Sequence, residues 1–172
     1  MEILELINDG STQLKNKSIY SHRLDSEILL SKVLNKTREE ILINLSRTVT
    51  KDKISQYQKY INRRLLKEPI AYILNEKEFW SKSFSVNKDV LIPRPETELM
   101  VEKIVQNYKK KNIFILDIGT GTGCILLSIL SELKNSKGIG IDISQKAIKI
   151  AKKNQKKLNL QKKNKVLSKI FE

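Results

Sequence analysis

Asp117-Ile118-Gly119-Thr120-Gly121-Thr122-Gly123-Cys124 sets the architecture of the C-terminal half of the chain. Its alternating glycines follow a β-rich run, Ile113 to Ile118, and precede an apolar run of helical character, Cys124 to Leu133. Glycines in a strand-to-helix turn let the backbone bend sharply and leave room for a ligand against N–H groups at a helix N-terminus. The spacing separates ligand classes. A dinucleotide fingerprint needs G-x-G-x-x-G, and counting from Gly119 puts Cys124 where its last glycine belongs. A phosphate-gripping loop ends in Gly-Lys-Ser/Thr, and no lysine stands here. What remains is Asp-x-Gly-x-Gly-x-Gly.

Outward from the turn, Gly138 to Ile143 predicts a second strand and Gln145 to Leu158 a second helix. That order implies parallel strands joined by a right-handed helical crossover, hence an α/β sheet. Asp142 ends the second strand 23 residues after Gly119. A carboxylate at that point can accept both ribose hydroxyls of a nucleoside held over the glycine turn. The plainer alternative is a strand end capped by Asp142 and a turn that needs glycine only for positive φ. The turn and the acid together favour nucleoside-cofactor binding. Cys124 reads as a small packing residue, since no histidine base lies near it in sequence.

Towards the N-terminus the character changes. No glycine occurs between Gly10 and Gly119 and no proline before Pro69, which predicts a helical bundle over roughly the first seventy residues. Ile28, Leu29, Leu30, Val33 and Leu34 form one core stripe, with Ser21 or Asp25 as its cap. Thr37 to Leu45 and Asp52 to Leu66 predict two more helices, the second burying Ile54, Tyr57, Ile61 and Leu65 before Pro69. His22, the sole histidine, reads as a surface or capping residue. From Phe79 the pattern alternates, predicting a hairpin of Phe84 and Val86 against Val90 to Ile92 across Asn87-Lys88-Asp89. Pro93-Arg94-Pro95 then stiffens the entry to a helix over Glu96 to Tyr108. The expected domains are a helical domain over 1–74, a hairpin linker over 75–95, and a ligand-binding domain over 96–172.

Composition bounds the function. The chain has 172 residues, 33 Lys+Arg against 19 Asp+Glu and a net charge of +14, so it holds one or two modest globular domains. A single cysteine excludes an internal disulfide and any cysteine cluster for zinc or iron–sulfur. The acidic start, MEILELINDG, lacks a signal peptide's positive charge, and no apolar run is long enough to span a bilayer, which predicts a soluble cytoplasmic protein with no membrane partner. Between Lys146 and Glu172 stand ten lysines and one acid. Such an end suits weak RNA or ribosome contact, although lysines solvating a helix face account for it as well, and no aromatics are interleaved to stack bases.

The Asp-x-Gly-x-Gly-x-Gly pattern resembles the first motif of S-adenosylmethionine-dependent methyltransferases. More specifically, EPIAYILNEKEFWSKSFSVNKDVLIPRPETELMVE, Glu68 to Glu102, resembles the linker and catalytic-domain entry of the release-factor glutamine methyltransferases. LDSEILLSKVL resembles a helix of that family's N-terminal domain, so the likeness covers nearly the whole chain, and the Arg94–Glu98 segment RPETE is its distinctive part. Asn75 stands where the family usually carries glycine, which bears on the local turn alone.

The resemblance implies the first half of a doubly wound, Rossmann-like class I methyltransferase sheet behind a helical substrate-recognition domain. It implies methyl transfer from S-adenosylmethionine to the glutamine amide in the Gly-Gly-Gln loop of peptide chain release factors. By position, Gly119, Thr120, Gly121, Thr122, Gly123 and Asp142 fall on cofactor-binding sites; Asp117 orients the turn or meets the methionyl amine, and Phe171 stands near the adenine site. The family's catalytic Asn-Pro-Pro-Tyr is absent, the prolines being Pro69, Pro93 and Pro95. Asn154, Asn159 and Asn164 sit in a lysine-rich helical or loop context and do not replace it. No catalytic or metal-binding residue is therefore assigned, and the chain is expected to stop short of its catalytic motif and to be inactive alone. Two other readings stay open: a noncatalytic remnant that docks a release factor or ribosome, and a methyltransferase acting on nucleic-acid amino groups.

Overall fold

A computed structural model describes residues 1–161 and the backbone of 164–166. The chain forms two compact units, Met1–Leu74 and Asn75–Glu172.

The first unit is helical: α1 (Ile3–Lys15), α2 (His22–Leu34), α3 (Arg38–Leu42), α4 (Lys51–Leu65) and α5 (Ile70–Leu74). Apolar residues at helical spacing bury Leu6, Ile7 and Leu14 against Leu29, Leu30, Val33, Tyr57 and Ile61. Ser26 and Tyr57 share a hydrogen bond of 2.6 Å inside this core, and burial pushes the Tyr57 phenol up to about 12. Gly10 lies in mid-helix because a Cβ there would collide with the Tyr57 hydroxyl. Ser21 precedes α2, but its hydroxyl donates to the Asp25 carboxylate (2.9 Å) instead of capping the helix. Asp25 also receives Arg64 at 2.7 Å. His22 opens α2, its Nδ1 2.8 Å from the Ser11 hydroxyl, which links α1 to α2. The helix expected over Thr37 to Leu45 is shorter, Arg38–Leu42. Its capping box is satisfied by Thr37 and Glu40, and Asn44 donates its side-chain amide to the Glu40 carbonyl (2.7 Å), competing with continuation of the helix.

In the second unit β1 (Glu76–Phe79) and β2 (Lys82–Ser85) form an antiparallel hairpin. The reversal lies at Trp80-Ser81, not at the expected Asn87-Lys88-Asp89, and Val90 to Ile92 form no strand. Trp80 and Ser81 have φ of 52° and 50°, the left-handed pair that a tight hairpin turn requires, and the twist of such a turn matches that of the strands. Phe79 and Phe84 close the hairpin edge to face, centroids 6.1 Å apart. Asn87 folds locally instead, accepting the Asp89 N–H on its side chain (3.1 Å) and the Val90 N–H on its carbonyl (3.2 Å). Asn75 has φ of 57°, so the asparagine takes the left-handed turn open to glycine.

Pro95 opens a short 3-10 turn, Pro95–Thr97, that leads into α6 (Glu98–Tyr108). Strands β3 (Phe114–Ile118), β4 (Lys137–Ile141) and β5 (Asn164–Val166) are parallel in the order β3-β4-β5. Helices α7 (Cys124–Glu132) and α8 (Gln145–Lys157) connect them. Asn164 thus begins a strand, where the lysine-rich composition had suggested helix or loop. A Cβ on Gly138 would meet Leu126 of α7 at 2.6 Å, so small residues let the helix sit close on that face. Phe114, Leu116 and Ile118 point to the other face and are 65%, 56% and 72% exposed. Phe171 lies outside the described residues.

Candidate functional site

The glycine turn is held from two sides. Gly119 and Thr120 both donate their backbone N–H to the Ile141 carbonyl at 2.9 Å, which fastens the start of the turn to the end of β4. Gly123 N–H closes the loop on the Thr120 carbonyl at 2.7 Å. Gly119, Gly121 and Gly123 have φ of 78°, 54° and 78°, a region that side chains other than glycine's enter at a cost. A Cβ on Gly119 would meet nothing within 4 Å, and one on Gly121 only the Gly119 carbonyl at 3.9 Å. Open space therefore faces the backbone at these two glycines, and a ligand can approach it closely. Gly123 is different: its Cβ would press on Leu127 at 3.0 Å, so glycine there serves packing.

Asp142 is the second component. Its Oδ2 accepts the Gly121 N–H at 2.8 Å and its Oδ1 the Ser144 N–H at 2.9 Å, so the carboxylate is oriented by two backbone donors. Each oxygen keeps further acceptor capacity for a hydroxyl donor. Thr120 and Thr122 are buried and act inward. Thr120 donates to Asp117 at 2.7 Å, and Thr122 accepts the Cys124 N–H at 3.3 Å at the start of α7. The turn thus brings Gly119, Thr120, Gly121, Thr122, Gly123 and Asp142 together, with the two threonines supporting it from within.

Burial raises the Asp117 carboxyl above the usual aspartate range; the Thr120 hydroxyl opposes that rise and the nearby Asp142 charge adds to it. Two carboxylates at one strand-end cluster create a negative potential suited to a cation. Burial likewise pushes the Cys124 thiol up, against the Thr122 hydrogen bond, which suits a packing thiol and not a nucleophile. Among the described residues no group of three or more His, Cys, Asp or Glu is placed to hold a metal ion, and no helix is long and apolar enough to cross a membrane. In the lysine-rich run, Lys157 donates to Ser83 at 2.8 Å and Lys146 lies 3.5 Å from Asp89, so two of those lysines have partners within the unit.

Sequence reasoning missed Asn154. It is fully buried on the inner face of α8, beside Ala147, Ile148 and Ala151. Its carboxamide donates to the Thr122 carbonyl (2.9 Å) and the Ser85 carbonyl (3.0 Å) and accepts the Ser85 N–H (2.7 Å). The signal was available: a polar residue at a core position of an amphipathic helix needs buried partners.

The glycine turn and the order of its strands and helices define a methyltransferase-type domain, and a methyltransferase domain model matches residues 109–171. A model of the PrmC N-terminal domain matches residues 5–74. The release factor glutamine methyltransferase of Buchnera aphidicola subsp. Schizaphis graminum is 48% identical over 138 residues, covering 80% of this chain and 50% of that protein. Its counterpart from Buchnera aphidicola subsp. Baizongia pistaciae is 44% identical over 161 residues, covering 93% of this chain and 58% of that protein. A bifunctional methyltransferase of Rickettsia conorii is 39% identical over 180 residues, covering 90% and 34% respectively. By sequence the chain thus carries a PrmC N-terminal domain followed by a methyltransferase domain and is similar to release factor glutamine methyltransferases. It spans about half the length of the curated relatives it matches.

Proposed function

We propose that Gly119–Gly123 and Asp142 form the S-adenosylmethionine half-site of an enzyme that methylates the glutamine amide in the Gly-Gly-Gln loop of peptide chain release factors. The observation that carries the reading is the hydrogen bond from the Gly121 N–H to Asp142, in a chain 48% identical to a release factor glutamine methyltransferase. The residues present fit the cofactor: open backbone at Gly119 and Gly121, an oriented carboxylate for ribose hydroxyls, and negative charge from Asp117 and Asp142 for a cation. When bound, S-adenosylmethionine supplies an electrophilic methyl group on a sulfonium.

The chain's own residues hold and orient. Asp142 accepts ribose hydroxyls, the turn excludes side chains from the ligand's path, and Asp117 steadies the turn through Thr120. An amide nitrogen is a weak nucleophile, so its protons need fixed acceptors that aim it at the methyl group. Such positioning is commonly worth about 7–11 kcal/mol of barrier. In the family that role belongs to Asn-Pro-Pro-Tyr, which these 172 residues lack. We accordingly assign no catalytic residue here, and assign to 1–74 the holding of the protein substrate, to 75–95 the linker and to 96–172 the cofactor. The setting is cytoplasmic, with release factors as partners and any RNA contact confined to the lysine-rich end.

Equilibrium dialysis with labelled cofactor, followed by incubation with unmethylated release factor, tests the reading. The 172-residue chain is expected to retain cofactor and bind the release factor while transferring no label within minutes. Retained release-factor binding without cofactor binding would select the docking-remnant reading instead. Stoichiometric label on the glutamine would place the catalytic acceptors within this chain.

A further inference from the structure

Asn154 exchanges both hydrogen bonds with the Ser85 backbone, as a neighbouring β-strand would, and gives its remaining side-chain N–H to the Thr122 carbonyl at 2.9 Å. All of its hydrogen-bonding groups are thereby engaged apart from spare lone-pair capacity on Oδ1. The Thr122 carbonyl belongs to the same peptide unit as the Gly123 N–H, which is itself bonded to the Thr120 carbonyl at 2.7 Å. That peptide joins Thr122 to Gly123, which lies at positive φ, and glycine's freedom on that side makes reorientation of the peptide plane cheap. A buried donor on the carbonyl side removes that freedom. Ala151, one turn earlier in α8, stands 3.5 Å from the Cβ position of Gly123, so the helix is seated against the turn.

We propose that Asn154 is a positioning residue for the cofactor turn: its carboxamide locks the Thr122–Gly123 peptide and ties it to Ser85, so that cofactor affinity depends on a hydrogen bond behind the turn. The inference rests on the reading of Gly119–Gly123 as the S-adenosylmethionine site and adds what holds that site in its binding geometry. An amide of merely structural value would lower stability on removal and leave the affinity of the folded protein unchanged. A lock changes the affinity and the exchange of the turn's own amides.

The test uses the whole chain with Asn154→Asp and Asn154→Ala, titrated with S-adenosylmethionine by calorimetry, and with amide hydrogen exchange followed in the same samples. Near neutral pH the aspartate variant faces two backbone carbonyls with a carboxylate. Both variants should bind on the order of tenfold more weakly, the effect of about one lost buried hydrogen bond. The aspartate variant alone should regain affinity relative to wild type as pH falls and its carboxyl recovers a donor. Exchange should rise together at Thr122–Cys124 and Ser85–Val86 and stay unchanged in the β3–β4 ladder. Folded variants that bind as tightly as wild type overturn the proposal. Should the variants fail to fold, the wild type decides: cofactor should slow exchange at Ser85 and Val86, behind the turn, and absence of that protection overturns the lock. If the wild type binds no S-adenosylmethionine, the cofactor reading fails by itself; the lock then stands on faster exchange at Thr122–Cys124 in the variants and falls without it.

Discussion

Asp142 Oδ2 accepts the Gly121 N–H at 2.8 Å, so the carboxylate that follows β4 is fixed to the turn that follows β3. The acid and the glycine loop, separated by 21 positions, act as one structural unit. Beside them Asp117 has its carboxyl raised by burial, a shift that Thr120 opposes and Asp142 reinforces.

That shift predicts a pH dependence of binding. As pH falls through the raised Asp117 range, its protonation removes negative charge from the cluster, and affinity for a cationic cofactor should weaken. Stability takes the opposite sign. The native state holds the Asp117 proton more tightly than the unfolded chain, so this group's contribution to stability falls as pH rises from the unfolded pKa through the folded one. Calorimetric titrations across the acid range should show the loss of affinity in wild type and a flatter profile in Asp117→Asn.

Glu27 in the helical unit behaves in the reverse way. Burial works to raise its carboxyl, but hydrogen bonds and charge from Arg38 and Arg23, each at 2.7 Å, outweigh that and hold it below the usual glutamate range. A lowered folded pKa contributes stability above the unfolded value and loses it as pH falls through the folded one. Glu27→Gln should cost about 1.5–3 kcal/mol at neutral pH, the scale of hydrogen bonds to a charged group. Urea unfolding should show that difference shrinking in acid.

Gly10 offers a packing test. Alanine normally favours a helix over glycine by about 0.5–1 kcal/mol. Here its Cβ would strike the Tyr57 hydroxyl and approach Ser26 Oγ and Ile61 Cδ1, each at 3.0 Å. Overpacking of this kind costs about 1–3 kcal/mol, so Gly10→Ala should destabilise the chain despite its better propensity. Chemical denaturation should show a lower midpoint.

These sites show how far the sequence was legible. The glycine turn, the strand-end acid, the helical character of the first unit and helices α6 to α8 follow from periodicity and spacing, because each depends on residues close in sequence; α5, just beyond Pro69, does not. The hairpin turn did not. Trp80 and Ser81 carry none of the Asn-Gly or Asp-Gly signal, and it is strand pairing that places them at positive φ. Asn87-Lys88-Asp89 has good turn chemistry and makes a turn, yet no ladder follows it. Asn154 was hidden for the related reason that its partner Ser85 lies 69 positions away.

The sheet makes a further expectation visible. β3 pairs only with β4 among the described residues, and Phe114, Leu116 and Ile118 expose an apolar face beside its unpaired edge. An open edge next to apolar surface is a template for association. Sedimentation of the 172-residue chain should show concentration-dependent self-association, reduced in Leu116→Lys. A clean monomer at high concentration would mean that the edge is covered in another way.

The most direct measurement of the cofactor assignment is a calorimetric comparison of S-adenosylmethionine and NAD on the wild-type chain and on Asp142→Ala. Binding of S-adenosylmethionine, no measurable binding of NAD, and affinity on the order of tenfold lower or worse in Asp142→Ala are expected, since the variant would lose the proposed ribose acceptor together with the anchor of Gly121. Equal binding of the two cofactors, or unchanged affinity in Asp142→Ala, would contradict the assignment.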